Sequence, residues 1–193
     1  MTEDAERNPW TTLSSQVQYE NPWIRVTEHQ VLNPKGRPGI YGTVHFRNLA
    51  IGVLPIDAEG YTWLVGQYRY PLNRYSWELP EGGGKLGDDP LLAAKRELQE
   101  EAGLVAGSWQ ELLRMHLSNS VTDELSICYL AWSLSKTQAQ PEETEELQVR
   151  RLPFSEAFAM VERGEITDSI SVAAILKLQL MRLSGQVPAG LFP

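Results

Sequence analysis

Cysteine is almost missing from this 193-residue sequence. The one present, Cys128, cannot close an internal disulfide, and among the apolar residues 127–132 (ICYLAW) it reads as a buried strand thiol. Histidine is scarce as well. His29, His45 and His116 lie too far apart to suggest a zinc-type cluster, and neither a GxSxG elbow nor a P-loop occurs. No run reaches the roughly 18 apolar residues of a membrane span. The opening MTEDAERNPW carries acids where a secretory signal needs a basic start and an apolar stretch, so a cytoplasmic chain is expected. Positive charge is the last shortage: 17 Lys and Arg against 25 Asp and Glu give a net charge of −8 at pH 7. Such a surface repels polymeric nucleic acid. A phosphorylated small molecule would need metal ions and a few well-placed arginines to offset the same repulsion.

What is present suits a packed domain. Apolar residues make up 42% and charged residues 22%, both ordinary for a globular protein. A chain of this length buries roughly 70% of its unfolded surface. The pattern predicts a flexible segment over 1–15, one domain over 16–186 whose β-rich region 16–45 begins with a hairpin, and a loose tail over 187–193. GIYGTVHF, AIGVLPI and YTWLVGQY read as three strands of one sheet, the last two joined by a hairpin-like turn at Asp57, Ala58, Glu59 and Gly60. After a glycine cluster, Asp89 caps a helix that opens with Pro90 and stops at Gly103. Strands follow over 112–117 and 125–132, then an acidic segment, the short run LQVRRL, and two helices capped by Ser155 and Asp168. This order predicts a mixed sheet between helices.

The chemistry concentrates on the helix from Pro90 to Ala102. At about 100° per residue, with Glu97 at zero, Glu100 falls near −60° and Glu101 near +40°, so three carboxylates share one face. Leu91, Leu98 and Ala102 make the adjacent face apolar and anchor it. Glu97 and Glu101 stand at i,i+4, where like charges repel, and a hard divalent cation with oxygen ligands would relieve them. A solvated acidic face with Arg96 paired to Glu100 is the other reading the helix alone allows.

The whole string 82–104, GGGKLGDDPLLAAKRELQEEAGL, resembles the Nudix box, Gx5Ex7REUxEExGU with U aliphatic. Gly82, Arg96, Glu97, Leu98, Glu100, Glu101, Gly103 and Leu104 fit in register. Asp88 departs, standing where the pattern has glutamate. The resemblance implies an α/β/α sandwich with a mixed sheet and an N-terminal β-hairpin extension. It also implies Mg2+ or Mn2+ held by Glu97, Glu100, Glu101 and the carbonyl of Glu81. Upstream, QYRYPLNRYSWELPEGG over 67–83 is similar to the branch that hydrolyses ADP-ribose and nucleoside diphosphate sugars.

That branch implies substrate-binding arginines at Arg69 and Arg47, each equally an ordinary surface ion pair on the residues alone. It further implies base stacking at Tyr19 and Trp23, which otherwise read as core, and a homodimer made by exchanged N-terminal strands. Asp123 would touch the terminal sugar or simply cap its loop. The loop LSNSVTDE lacks the proline that many ADP-ribose enzymes carry there, which weakens that preference. A general base is expected from the acidic segment, with Glu145 first, Glu143 next, and Glu100 if the segment is only a solvated acid run. The alternatives to a nucleotide-sugar pyrophosphatase are hydrolysis of nucleoside triphosphates or dinucleoside polyphosphates, or a nucleotide-binding domain without turnover.

Overall fold

A computed structural model describes residues 7–139 and 146–192. The chain forms two compact units, one built from the chain up to Asn48 together with His116–Glu124, the other from Leu49–Met115 and the chain from Leu125 onward. A loop from the middle of the chain completes the first unit.

In the first unit, β1 (Thr11–Glu20), β2 (Ile24–Leu32) and β3 (Pro38–Phe46) form an antiparallel sheet in the order β1-β2-β3. Asn21 tightens the first turn, its side-chain oxygen accepting from the N–H groups of Trp23 and Ile24 at 2.9 and 2.8 Å. Strand β1 begins at Thr11, inside the stretch expected to be flexible, because β-branched Thr11 and Thr12 pair with Leu32 and Val31. Every residue of β1 is exposed. The loop before Leu125 joins this unit through Val44, whose N–H donates to Val121 O at 2.9 Å, and through Tyr41, whose hydroxyl donates to Ser120 O at 2.8 Å.

The second unit contains β4 (Asn48–Pro55), β5 (Tyr61–Arg69), β6 (Arg74–Glu78), β7 (Glu81–Lys85), α1 (Pro90–Ala102), β8 (Leu104–His116), β9 (Leu125–Lys136), β10 (Gln148–Pro153), α2 (Phe154–Glu162) and α3 (Ser169–Leu183). One sheet runs β7-β4-β9-β8 with β4 parallel to β9; another runs β10-β5-β6, antiparallel. The three strands assigned to one sheet thus lie in three. The Asp57–Gly60 turn forms, with Gly60 at φ +80°, but β4 and β5 leave it for different partners.

Burial on both faces explains the near-continuous apolar run of β4. Ile51 and Val53 join Ala94 and Leu98 of α1 in one core cluster with Ile127 and Tyr129. The intervening Gly52 faces α3, where an added Cβ would lie 2.6 Å from Ile170 Cγ2. Helices therefore cover both faces of this sheet. Cys128 is buried here, as its neighbours implied. Asp168 caps α3 through Ser171 N–H at 2.7 Å, whereas α2 has Pro153 rather than Ser155 at its cap position and no side-chain cap. The tail is packed rather than loose: Leu191 is buried and the Phe192 ring lies 5.7 Å from Phe154. Among the described residues no helix is long and apolar enough to cross a membrane.

Candidate active site

Helix α1 is fixed at both ends. The Asp89 side chain accepts from Leu91 N–H at 3.0 Å, and Gly103, left-handed at φ +63°, donates its N–H to Gln99 O at 3.0 Å. With Ala94 and Leu98 sunk in the core, the register carries Glu97 and Glu101 inward too; they are 6% and 2% exposed. Two buried carboxylates one turn apart are costly unless something compensates them.

Strand β7 supplies the facing wall, and its glycines were not legible as a strand. Gly82 has no side chain because Glu97 occupies the space: a Cβ there would sit 2.2 Å from Oε1 and 2.6 Å from Oε2. One residue earlier, Glu81 N–H donates to Glu101 Oε2 at 2.8 Å. Arg96 ties helix to strand, donating to Glu100 Oε2 at 2.6 Å, Glu97 Oε1 at 2.5 Å and Gly83 O at 2.8 Å. Its pairing with Glu100 is the surface bond that the helix alone allowed, yet the same guanidinium also orients Glu97. Asp88 is exposed in the turn that follows β7, its N–H donating to Lys85 O.

Beside this wall lies a second charged group. Arg69 grips Glu78, with Nε 3.0 and 2.9 Å from its two oxygens and Nη2 2.5 Å from Oε2, and Nη2 also donates to Glu81 Oε1 at 2.6 Å. Burial works against the guanidinium charge, but Glu78 and Glu81 outweigh it and raise its pKa. Burial pushes the Glu81 carboxyl well above the usual range; nearby Asp168 and Glu78 add to this, and Arg69 opposes it. Sequence reasoning gave Glu78 no role. The available signal was an acid inside the otherwise apolar strand end WELP; the register sets Glu78 across from Val65, so its bond to Arg69 does not follow from strand pairing.

Carboxylate and backbone oxygens are the ligand set of Mg2+ or Mn2+. Glu81 Oε2 is buried and has no hydrogen-bond partner among the described residues. These residues could hold a divalent cation, which would take Glu97, Glu101 and the Glu81 carbonyl, with Glu100 beside them. Among the described residues no three His, Cys, Asp or Glu side chains stand ready around one point. Arg96 instead engages Glu97 and Glu100, and Arg69 engages Glu78 and Glu81.

The remaining expected site residues belong to the N-terminal unit. Tyr19 and Trp23 are exposed, at 56% and 64%, and are not core. Arg47 is ion-paired with Glu20 and donates its N–H to Trp23 O at 2.9 Å. Asp123 lies in the loop before Leu125. It reaches β3, where Oδ2 lies 2.5 Å from His45 Nδ1 and Oδ1 accepts from Phe46 N–H at 2.9 Å. A hollow of about 330 Å3 adjoins this pair, lined by Tyr41, Thr43 and residues 119–123. Glu143 and Glu145 lie outside the described residues. Glu146, next in the chain, lines a hollow of about 340 Å3 with Gln67, Tyr68, Tyr75 and Gln148.

Comparison with known proteins gives a family profile described as "NUDIX domain" over residues 46–172 and one described as "Nucleoside diphosphate sugar hydrolase N-terminal domain" over residues 10–44. The chain is 35% identical over 170 residues to the ADP-ribose pyrophosphatase of Mycobacterium tuberculosis, covering 86% of this chain and 81% of that one. It is 34% identical over 133 residues to the ADP-ribose pyrophosphatase of Bacillus subtilis, covering 68% and 72%. A crystal structure described as an ADP compounds hydrolase superimposes with a TM-score of 0.81 at 20% identity, covering 92% of this chain and 97% of that one, a likeness of fold.

Proposed function

This chain belongs to the Nudix family of hydrolases, and we propose that it hydrolyses ADP-ribose or a related nucleoside diphosphate sugar to a nucleoside monophosphate and a sugar phosphate, with Mg2+ or Mn2+ as cofactor. The observation that carries this reading is the seating of Glu97 and Glu101, two buried carboxylates of one helix, against the backbone of Gly82 and Glu81. A divalent cation bound there would supply charge neutralisation for the diphosphate. The protein itself fixes the ligand oxygens on a capped helix whose other face is core, so little reorganisation is needed.

Arg69 and Arg47 are the proposed phosphate contacts. Both are paired with carboxylates, so a diphosphate would compete with Glu78 and Glu81 for Arg69, and with Glu20 for Arg47. Tyr19 and Trp23 are the proposed stacking surface, and their exposure supports that role. Asp123, braced by His45, is a proposed contact to the terminal sugar. The proton of the attacking water goes to a glutamate of the acidic segment, Glu145 before Glu143.

A homodimer is part of the proposal. It is supported by β1, exposed along its whole length, and by the apolar Leu13, Val17 and Ile40 exposed on the same sheet. A cytoplasmic location belongs to the same reading. The deciding experiment is a panel of nucleotide sugars, nucleoside triphosphates and dinucleoside polyphosphates, read by phosphatase-coupled phosphate release with Mg2+ present. ADP-ribose or another nucleoside diphosphate sugar should lead triphosphates by at least tenfold in kcat/KM, about 1.4 kcal/mol. A triphosphate as best substrate would reverse the assignment, and undiminished turnover in excess chelator would remove the metal.

A further inference from the structure

Glu81 enters the proposed site through its backbone, yet its side chain is the less expected feature. Its N–H is bonded to Glu101 and its neighbour Gly82 lies under the Glu97 carboxylate, so its backbone adjoins both box carboxylates. The side chain is 12% exposed. Oε1 takes one bond, from Arg69 Nη2 at 2.6 Å, while Oε2 is enclosed without a donor among the described residues. An enclosed carboxylate oxygen with no donor is costly, and one that persists asks for a missing partner.

Charge balance points the same way. Glu78, Glu81, Glu97 and Glu101 are four carboxylates, and among the described residues Arg69 and Arg96 are the guanidinium groups ion-paired within this cluster. Arg96 is further shared with Glu100. Carboxylates therefore outnumber guanidinium groups at this cluster, an imbalance of the sign that a divalent cation would offset.

We propose that the Glu81 side chain, beyond its carbonyl, is a ligand of the divalent cation held by Glu97 and Glu101, and that Arg69 is the tethered cation from which it is drawn. Glu78 keeps Arg69 in place when Glu81 turns away, since its two-oxygen grip on Arg69 does not involve Glu81. Metal loading thereby reduces the carboxylates on Arg69 from two to one and leaves the guanidinium readier for a phosphate oxygen.

This inference rests on the Nudix reading of the site, and the test separates the two. Mn2+ binding to metal-free protein, without substrate, is followed by the paramagnetic resonance signal of free Mn2+ and by the melting temperature with and without Mn2+. The variants are Glu81→Gln, Glu81→Asp and Glu97→Gln. Glu81→Gln should weaken Mn2+ binding roughly 10- to 100-fold and shrink the Mn2+-induced rise in Tm, as loss of a ligand charge requires. Glu81→Asp retains the charge and should fold, but withdraws the oxygens by one methylene; it should also bind Mn2+ more weakly than the parent. If the parent binds Mn2+, Glu97→Gln weakens it and both Glu81 variants match the parent within about twofold, under 0.5 kcal/mol, the Glu81 inference is overturned while the site reading stands. A parent that binds no Mn2+ overturns both.

Discussion

Replacing Gly82 with alanine puts one carbon where the Glu97 carboxylate already lies. The new Cβ would be 2.2 Å from Oε1, and contacts below 3.0 Å are essentially never seen, so the carboxylate must retreat by about 0.8 Å. Because the displaced group is the far end of a side chain, the fold can absorb the change, but a carboxylate with the proposed metal-binding role cannot move that far without consequence. A misplacement near 1 Å costs on the order of 10²-fold in rate, about 2.7 kcal/mol of transition-state stabilisation. The contrasting variant is Gly84→Ala, two residues along the same strand. There a Cβ would meet Ile51 Cγ1 at 2.8 Å in the core cluster, where overpacking costs about 1–3 kcal/mol of stability. Coupled phosphate release from ADP-ribose and thermal melts of both proteins should give opposite profiles. Gly82→Ala loses activity with its Tm nearly unchanged; Gly84→Ala loses Tm by about 2–4 °C per kcal/mol and keeps more of its activity. A Gly82→Ala enzyme within about threefold of the parent in kcat/KM, less than roughly 0.7 kcal/mol, would refute the claim that Glu97 is positioned by that contact.

Among Glu142→Gln, Glu143→Gln, Glu145→Gln and Glu146→Gln, one variant should lose roughly 10²–10⁴-fold in kcat with Mn2+ affinity unchanged. If all stay within about tenfold, the base is elsewhere and Glu100 becomes the candidate. Light scattering should give a dimer, and Val17→Asp on exposed β1 should shift it toward monomer with a loss of kcat/KM; a fully active monomer would contradict the shared site. Burial raises the Asp123 carboxyl pKa, but hydrogen bonds from His45 and Phe46 N–H outweigh it and hold it below the usual range. A depressed folded pKa means that this stabilisation is complete above about pH 3.9 and fades as pH falls through the lower folded value. The Tm gap between parent and Asp123→Asn should therefore close toward pH 2, and a gap constant with pH would count against the pairing.

The readable parts of the sequence were those governed by local rules. Helix α1 keeps its expected limits because Asp89, Pro90 and Gly103 act on their own backbone, and its carboxylates share a face because 3.6-residue periodicity puts them there. The pairing of β4 with β9 could not be read: two apolar runs 70 residues apart carry no local mark of parallel alignment, whereas a turn such as Asp57–Gly60 invites a hairpin. Strand β7 escaped because glycines have weak strand propensity; what keeps it extended is its pairing with β4. Arg69 and Arg47 stood open between phosphate contacts and ordinary surface ion pairs. Their engagement by Glu78, Glu81 and Glu20 depends on tertiary approach that spacing does not encode.

The N-terminal sheet is not a contiguous module. Residues 116–124 are separated from it by the whole box, yet they are bonded to β3 through Val44, Tyr41 and the His45–Asp123 pair. A chimera that took its first 44 residues from a relative would change Tyr41 and Val44 while leaving their partner loop behind. Exchange of substrate preference between relatives by swapping the N-terminal strands should therefore fail unless the 116–124 segment travels with them, and the two stretches should have changed together during divergence.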